Sequence, residues 1–166
     1  MKIRPTKLLL LVPVLALTAV PAAAADAPSV AHGRYLVTIG GCNDCHTPGY
    51  AESGGRTPEA EWLTGSPVGF QGPWGTTYPT NLRLTVHAMT EAQWITLARS
   101  NLRPPMPSPS LHAMSETDLR SLYRYIRHLG AKGQPAPAYA PPGQAVTTPY
   151  YEFVPKNLPH QAQADH

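Results

Sequence analysis

Apolar positions recur with helical spacing most clearly between Glu116 and Leu129. Leu119, Leu122, Tyr123, Ile126 and Leu129 follow an i, i+3, i+4, i+7 pattern, and Arg120, Arg124 and Arg127 fall elsewhere on the wheel. Ser115-Glu116-Thr117-Asp118 is a capping signal at the start of this helix, and Gly130 is its stop. A stripe of this kind must be buried against a partner. Ser29 caps a second predicted helix from Val30 to Gly40, and its Gly33–Val37 face is the natural partner, because a glycine lets a neighbouring helix approach closely. A third helix is predicted from Glu91 to about Asn101 behind the capping box Thr90-Glu91-Ala92-Gln93, with Trp94, Leu97 and Ala98 on one face.

Between these elements the pattern fades. Thr47 to Pro79 is rich in Gly, Pro and Thr and reads as irregular loop, with at most a single turn over Glu59–Leu63. Its aromatics, Trp62, Phe70, Trp74 and Tyr78, are too many for a solvated loop and need a surface to cover. Arg103 to Pro109 holds four prolines and reads as rigid and extended, with Met106 fixed between Pro105 and Pro107. From Ala131 to His166 there are seven prolines and no helical period. Even so, Tyr150-Tyr151-Glu152-Phe153-Val154-Pro155 carries too much apolar bulk for disorder, and part of this extension is expected to lie against the domain.

The first 25 residues follow a different grammar. Lys2, Arg4 and Lys7 precede the apolar run Leu8–Val20, and Ala22 to Ala25 offer a small-residue cleavage site, which together read as a secretory signal peptide cleaved near Ala25/Asp26. The run is too short to span a bilayer, and no later run is long enough, so the exported chain is not expected to cross a membrane. The expected organisation is a signal peptide over 1–25, one domain over 26–130 and a proline-rich extension over 131–166. Export removes three of the thirteen Lys and Arg and leaves ten against ten Asp and Glu. The formal net charge of +3 therefore belongs to the signal, and nothing points to nucleic acid.

The candidate chemistry is concentrated in Cys42-Asn43-Asp44-Cys45-His46. This Cys-x-x-Cys-His run is the attachment signature of a c-type haem. Two thiols at this spacing reach the two vinyl groups of one macrocycle, and the following histidine supplies the proximal imidazole to iron. A redox Cys-x-x-Cys pair needs no following histidine and sits in a βαβ context that is absent here. A zinc site needs a second ligand pair, and none stands at metal spacing. Both cysteines are consumed by one haem c, the single cofactor expected, and the Thr47–Pro79 loop is expected to wrap over it. Trp74 and Tyr78 are candidates for hydrogen bonds to its propionates, with simple core filling as the plainer alternative. No Ser/His/Asp or paired-carboxylate arrangement suggests a catalytic residue.

The sixth position of the iron decides the chemistry. Met106 is the first candidate, since proline on both sides lowers the entropy lost on ligation. Met114 comes next, although a residue just ahead of the Ser115 cap is commonly a hydrophobic staple. Met89, His87 and His112 remain further candidates. His/Met ligation raises the haem potential and leaves no open coordination position, which suits electron transfer. A weakly held or absent sixth ligand would instead suit ligand sensing or catalysis.

Residues 30 to 130 resemble the class I cytochrome c family in their N-terminal helix with Gly33, the Cys42–His46 motif, the Pro-Met-Pro segment and the C-terminal helix with Leu122 and Tyr125. The stretch Thr64-Gly65-Ser66, Gly72 to Tyr78 and Asn81-Leu82 is similar to haem-binding subunits of membrane-bound periplasmic dehydrogenases. The resemblance implies an all-α cytochrome c fold, with three to four helices around one covalent haem and Gly33 and Val37 crossing Leu122 and Tyr125. It maps the distal methionine onto Met106. It also implies a periplasmic carrier of single electrons between a dehydrogenase or quinol-oxidising complex and a terminal acceptor. Its partners would be redox proteins, with association to a membrane-bound complex.

Overall fold

The computed structural model describes residues 27–156, so the expected signal peptide and the end of the proline-rich extension lie outside the described residues. Six α-helices occur among them: α1 Val30–Ile39, α2 Cys42–His46, α3 Leu82–His87, α4 Glu91–Ala98, α5 Ser108–Ala113 and α6 Glu116–Leu129. Three short strands join them: β1 Gly69–Gly72, β2 Gly75–Thr77 and β3 Tyr150–Glu152.

The long helices start where their side chains can satisfy the first free amides. Ser29 Oγ accepts from the His32 amide, and Thr90/Gln93 and Ser115/Asp118 form complete capping boxes on α4 and α6. Helix α6 is the centre of the core, with Leu119, Leu122, Tyr125 and Ile126 almost fully buried. Helix α1 crosses it at Gly33. A Cβ there would lie 2.0 Å from the Ser121 carbonyl oxygen and 2.6 Å from Tyr125 Cβ, so only glycine permits the approach. The crossing therefore centres on Ser121 and Tyr125, with Leu122 in the same core beside Leu36 and Val37. Trp94 locks α4 onto α6 by donating its indole N–H to the Leu119 carbonyl at 2.8 Å.

The chain is mostly helical, but the expected all-α description with three to four helices is too narrow. The Thr47–Pro79 segment, read as irregular, contains the β1–β2 hairpin, paired antiparallel from Phe70↔Thr77 to Gly72↔Gly75. Strand β3 joins β1 in parallel, Gly69 opposite Tyr150, giving the order β2-β1-β3. The Arg103–Pro109 segment, read as extended, turns at Met106 and enters α5 at Ser108. Pro109 in the first turn of α5 does not break it, since amides there have no intrahelical partner to lose.

The proline-rich segment after Gly130 runs back over the hairpin. Asn81 Nδ2 donates to the carbonyls of Lys132 (2.7 Å) and Gln134 (3.1 Å). Ala140 and Thr76 exchange two backbone hydrogen bonds of 2.8 and 3.0 Å. At Gly75, where φ is +94°, a Cβ would strike the Ala140 carbonyl at 2.3 Å. Phe153 then packs on Phe70 and Trp74, with ring centroids 5.7 and 6.0 Å apart.

Candidate haem attachment site

Helix α2 is one turn long and puts Cys42 and Cys45 three residues apart, on one face. Both are free, half-buried thiols. Burial pushes the Cys42 thiol up to about 11, and burial with the neighbouring Asp44 raises Cys45 too. His46 is buried at the end of the turn. Its Nδ1 lies 2.8 Å from the Thr80 carbonyl oxygen, which can only accept, so Nδ1 carries the proton. Burial lowers the pKa of this imidazole, and the Thr80 carbonyl partly restores it. The ring is therefore neutral near pH 7, with the Nε2 lone pair available. Fixing one ring nitrogen on a carbonyl to orient the other is the usual support of a histidine ligand.

The turn is anchored from behind. Thr47 Oγ1 donates to Asn43 Oδ1 at 2.7 Å and accepts from the Leu63 amide at 2.7 Å. Gly65 donates its amide to the His46 carbonyl at 2.8 Å. Leu63, fully buried, holds a φ of +61°, a conformation that persists only where the surroundings enforce it.

Cys42, Cys45 and His46 do not converge on one ion, and among the described residues no group of three or more His, Cys, Asp or Glu side chains could hold a metal. That geometry disfavours zinc chelation. Two thiols on one face followed by an oriented neutral imidazole fit a haem, which meets the thiols at its edge and the imidazole at its centre.

The sequence candidates for the sixth ligand fall in different settings. Met106 is half-buried against the core at the end of a turn in which its amide donates to the Arg103 carbonyl at 3.2 Å. Ser108 closes this loop: its Oγ accepts from the Leu102 amide at 3.0 Å, and its own amide donates to the Met106 carbonyl at 2.8 Å. Met114 is also half-buried. Its Cε lies 3.9 Å, and Cys42 Sγ 3.7 Å, from the point where a Cβ of Gly40 would stand, so Met114 and the first thiol both approach Gly40. It also holds the position before the Ser115 cap that a staple residue takes. Met89 is half-buried, and its carbonyl accepts from Tyr123 at 3.0 Å. His87 and His112 face the Arg127 and Ser100 carbonyls at 3.3 and 3.1 Å.

Trp74 and Tyr78 meet protein partners. The Trp74 indole donates to the Phe70 carbonyl at 3.3 Å, and the Tyr78 hydroxyl lies 2.5 Å from Thr148 Oγ1. A cleft of about 260 Å³ beside Cys45 is lined by Asp44, Glu52 and Phe70, with Tyr151 of β3 completing its wall. Two contributors escaped the sequence reading. The Thr80 carbonyl is a backbone group and leaves no trace in residue identity. The Tyr139 ring under the Arg103 guanidinium is a contact between residues too distant in sequence to be read from a pattern.

No family model matches the chain, and no solved structure does. Three curated relatives are similar to it. The cytochrome c subunit of alcohol dehydrogenase (quinone) from Gluconacetobacter polyoxogenes is 32% identical over 117 residues, and the same subunit from Komagataeibacter europaeus is equally so. The fructose dehydrogenase cytochrome subunit of Gluconobacter japonicus is 28% identical over 115 residues. Each alignment takes in 63% of this chain but only 22% of the relative, so the chain spans less than a quarter of the proteins it matches. The chain is thus a relative, over part of its length, of the cytochrome c subunits of alcohol and fructose dehydrogenases.

Proposed function

We propose that this chain is an exported single-haem cytochrome c that carries electrons one at a time from a dehydrogenase or quinol-oxidising complex to a further acceptor. The observation that carries the reading is the α2 turn, with two free thiols on one face and a buried neutral His46 oriented through Thr80. The similarity to dehydrogenase cytochrome subunits supports it.

Cys42 and Cys45 would hold the haem covalently, and His46 Nε2 and Met106 would ligate its iron, with Met114 as the alternative to Met106. When bound, the haem supplies a one-electron ferric/ferrous couple. The protein keeps that couple cheap to cycle, because the turn is anchored by Thr47 and the distal loop is closed by Ser108, so little moves between the two states. Trp74, in the turn of the hairpin, and Tyr78, just after β2, are the residues proposed for propionate contacts.

The chain is proposed to work in the periplasm after signal removal, associated with a larger complex. Among the described residues no helix is long and apolar enough to cross a membrane. The test is the visible and near-infrared spectrum of the purified holo-protein, with and without carbon monoxide. A low-spin spectrum with a sulfur-to-iron charge-transfer band, unmoved by carbon monoxide and lost in Met106→Leu, is expected. A high-spin or readily carbonylated iron would replace the carrier reading with ligand sensing or catalysis.

A further inference from the structure

Arg103 opens the turn that ends at Met106, and the C-terminal segment grips it. The Arg103 guanidinium carbon lies 4.1 Å from the centroid of the Tyr139 ring. Among the described residues Arg103 makes no ion pair, so this ring is its electrostatic partner. Tyr139 is itself fixed at both ends. Its hydroxyl donates to the Trp74 carbonyl at 2.8 Å. The next residue, Ala140, is buried and joined to Thr76 by two backbone hydrogen bonds. One residue further along the same strand, Thr77 Oγ1 donates to the Pro104 carbonyl at 2.7 Å. The first two residues of the Met106 turn are therefore held from outside by the hairpin and the strap laid over it.

We propose that Tyr139 is a positioning residue for Met106 and sets how firmly the sixth ligand is kept on the iron. The inference rests on the reading that Met106 ligates a haem. It assigns the proline-rich extension a role at the iron without a direct contact: the strap makes loss of the methionine costlier by restricting the turn that carries it. Ligands that need a vacated iron, such as imidazole, then compete less well.

The test is imidazole titration of the ferric holo-protein, followed by loss of the sulfur-to-iron band. Tyr139→Leu removes both the ring contact and the hydrogen bond, and imidazole affinity is expected to rise about ten-fold. Tyr139→Phe keeps the ring beneath Arg103 and should raise it about three-fold. Arg103→Gln, on an exposed side chain, should act like Tyr139→Leu while leaving the strap in place, and it decides the matter should Tyr139→Leu not accumulate as holo-protein. Unfolding stability is measured in parallel. Lower stability with unchanged imidazole affinity in both Tyr139→Leu and Arg103→Gln would overturn the proposal, since it would make the contact purely structural. A sulfur band that survives Met106→Leu, or that is missing from the wild type, would overturn it by a separate route, through the ligand assignment itself.

Discussion

Gly33→Ala adds one methyl group at the tightest point of the fold. The new Cβ would stand 2.0 Å from the Ser121 carbonyl oxygen, 2.6 Å from its carbonyl carbon and 2.6 Å from Tyr125 Cβ. Two of these three atoms are α6 backbone, so no rotamer change relieves the clash, and α1 must lift by about 1 Å to reach ordinary contact distance. A gap of that size forfeits a quarter to a half of each contact across it. Leu36 and Val37 on α1 and Leu122 and Tyr125 on α6 are all buried at or near this crossing, each contributing about 1.5–3 kcal/mol. The lost packing is then about 3–4 kcal/mol. Alanine recovers about 1 kcal/mol of helix propensity, so the net expectation is about 2–3 kcal/mol of destabilisation. Guanidinium unfolding of the holo-protein, followed by far-UV circular dichroism, measures it. Thr38→Ala, on the exposed side of α1, is the control and should change stability by less than about 0.5 kcal/mol. A Gly33→Ala protein as stable as the wild type would mean that α1 and α6 do not meet at this residue, and the packing described for the core would be wrong.

Two further outcomes are expected. Asp118 accepts from His32 at 2.6 Å and from the Ser115 amide and hydroxyl at 2.9 and 2.8 Å, and these partners, His32 foremost, hold its carboxyl below the usual range. A depressed native value stabilises above the unfolded pKa and is lost as pH falls through the folded one. Asp118→Ala should therefore cost about 1 kcal/mol in urea unfolding at pH 7 and progressively less as pH falls below the usual carboxylate range toward the depressed folded value, and a pH-independent cost would refute the account. In limited trypsin digestion the bond after exposed Lys156 should be cut early. The bond after Lys132 should persist, since Lys132 Nζ is held by Glu61 Oε1 and the Ala60 carbonyl and its own carbonyl by Asn81. Early release of everything beyond Lys132 would show that the strap is not docked.

What could be read from the sequence was what short-range chemistry determines. Helix α6 runs from Glu116 to Leu129 as expected, because its box, its apolar stripe and its glycine stop all lie within sixteen residues of one another. Gly33 was legible as a contact, and Tyr125 as one of its neighbours, though the tightest approach is to the Ser121 carbonyl rather than to Leu122. The short helices α3 and α5 were not foreseen. Six residues each is too little for propensity alone to favour. They are held by distant groups: the Arg83 guanidinium reaches the carbonyls of Leu129, Gly130 and Ala60, and Arg99 reaches those of Leu111, His112 and Met114. The sheet was missed for a similar reason, since half of its pairing joins Gly69 to a residue near the far end of the chain. At the site, the thiols and the imidazole announce themselves by spacing, whereas Thr80 acts through a carbonyl that every residue possesses.

The parallel pairing of β3 with β1 has a consequence for the order of assembly. Gly69 meets Tyr150 across eighty intervening residues, and an isolated parallel pair of three residues cannot offset the entropy of closing so long a loop. Strand β3 must therefore dock on a hairpin that already exists. Tyr151, one residue on, completes the wall of the cleft beside Cys45. In a chain that emerges N-terminus first, the second thiol is available long before that wall can be built. Any machinery that must reach Cys45 has its widest opportunity in the interval, and once the strap is laid down the same residue lines a cleft with an aromatic wall.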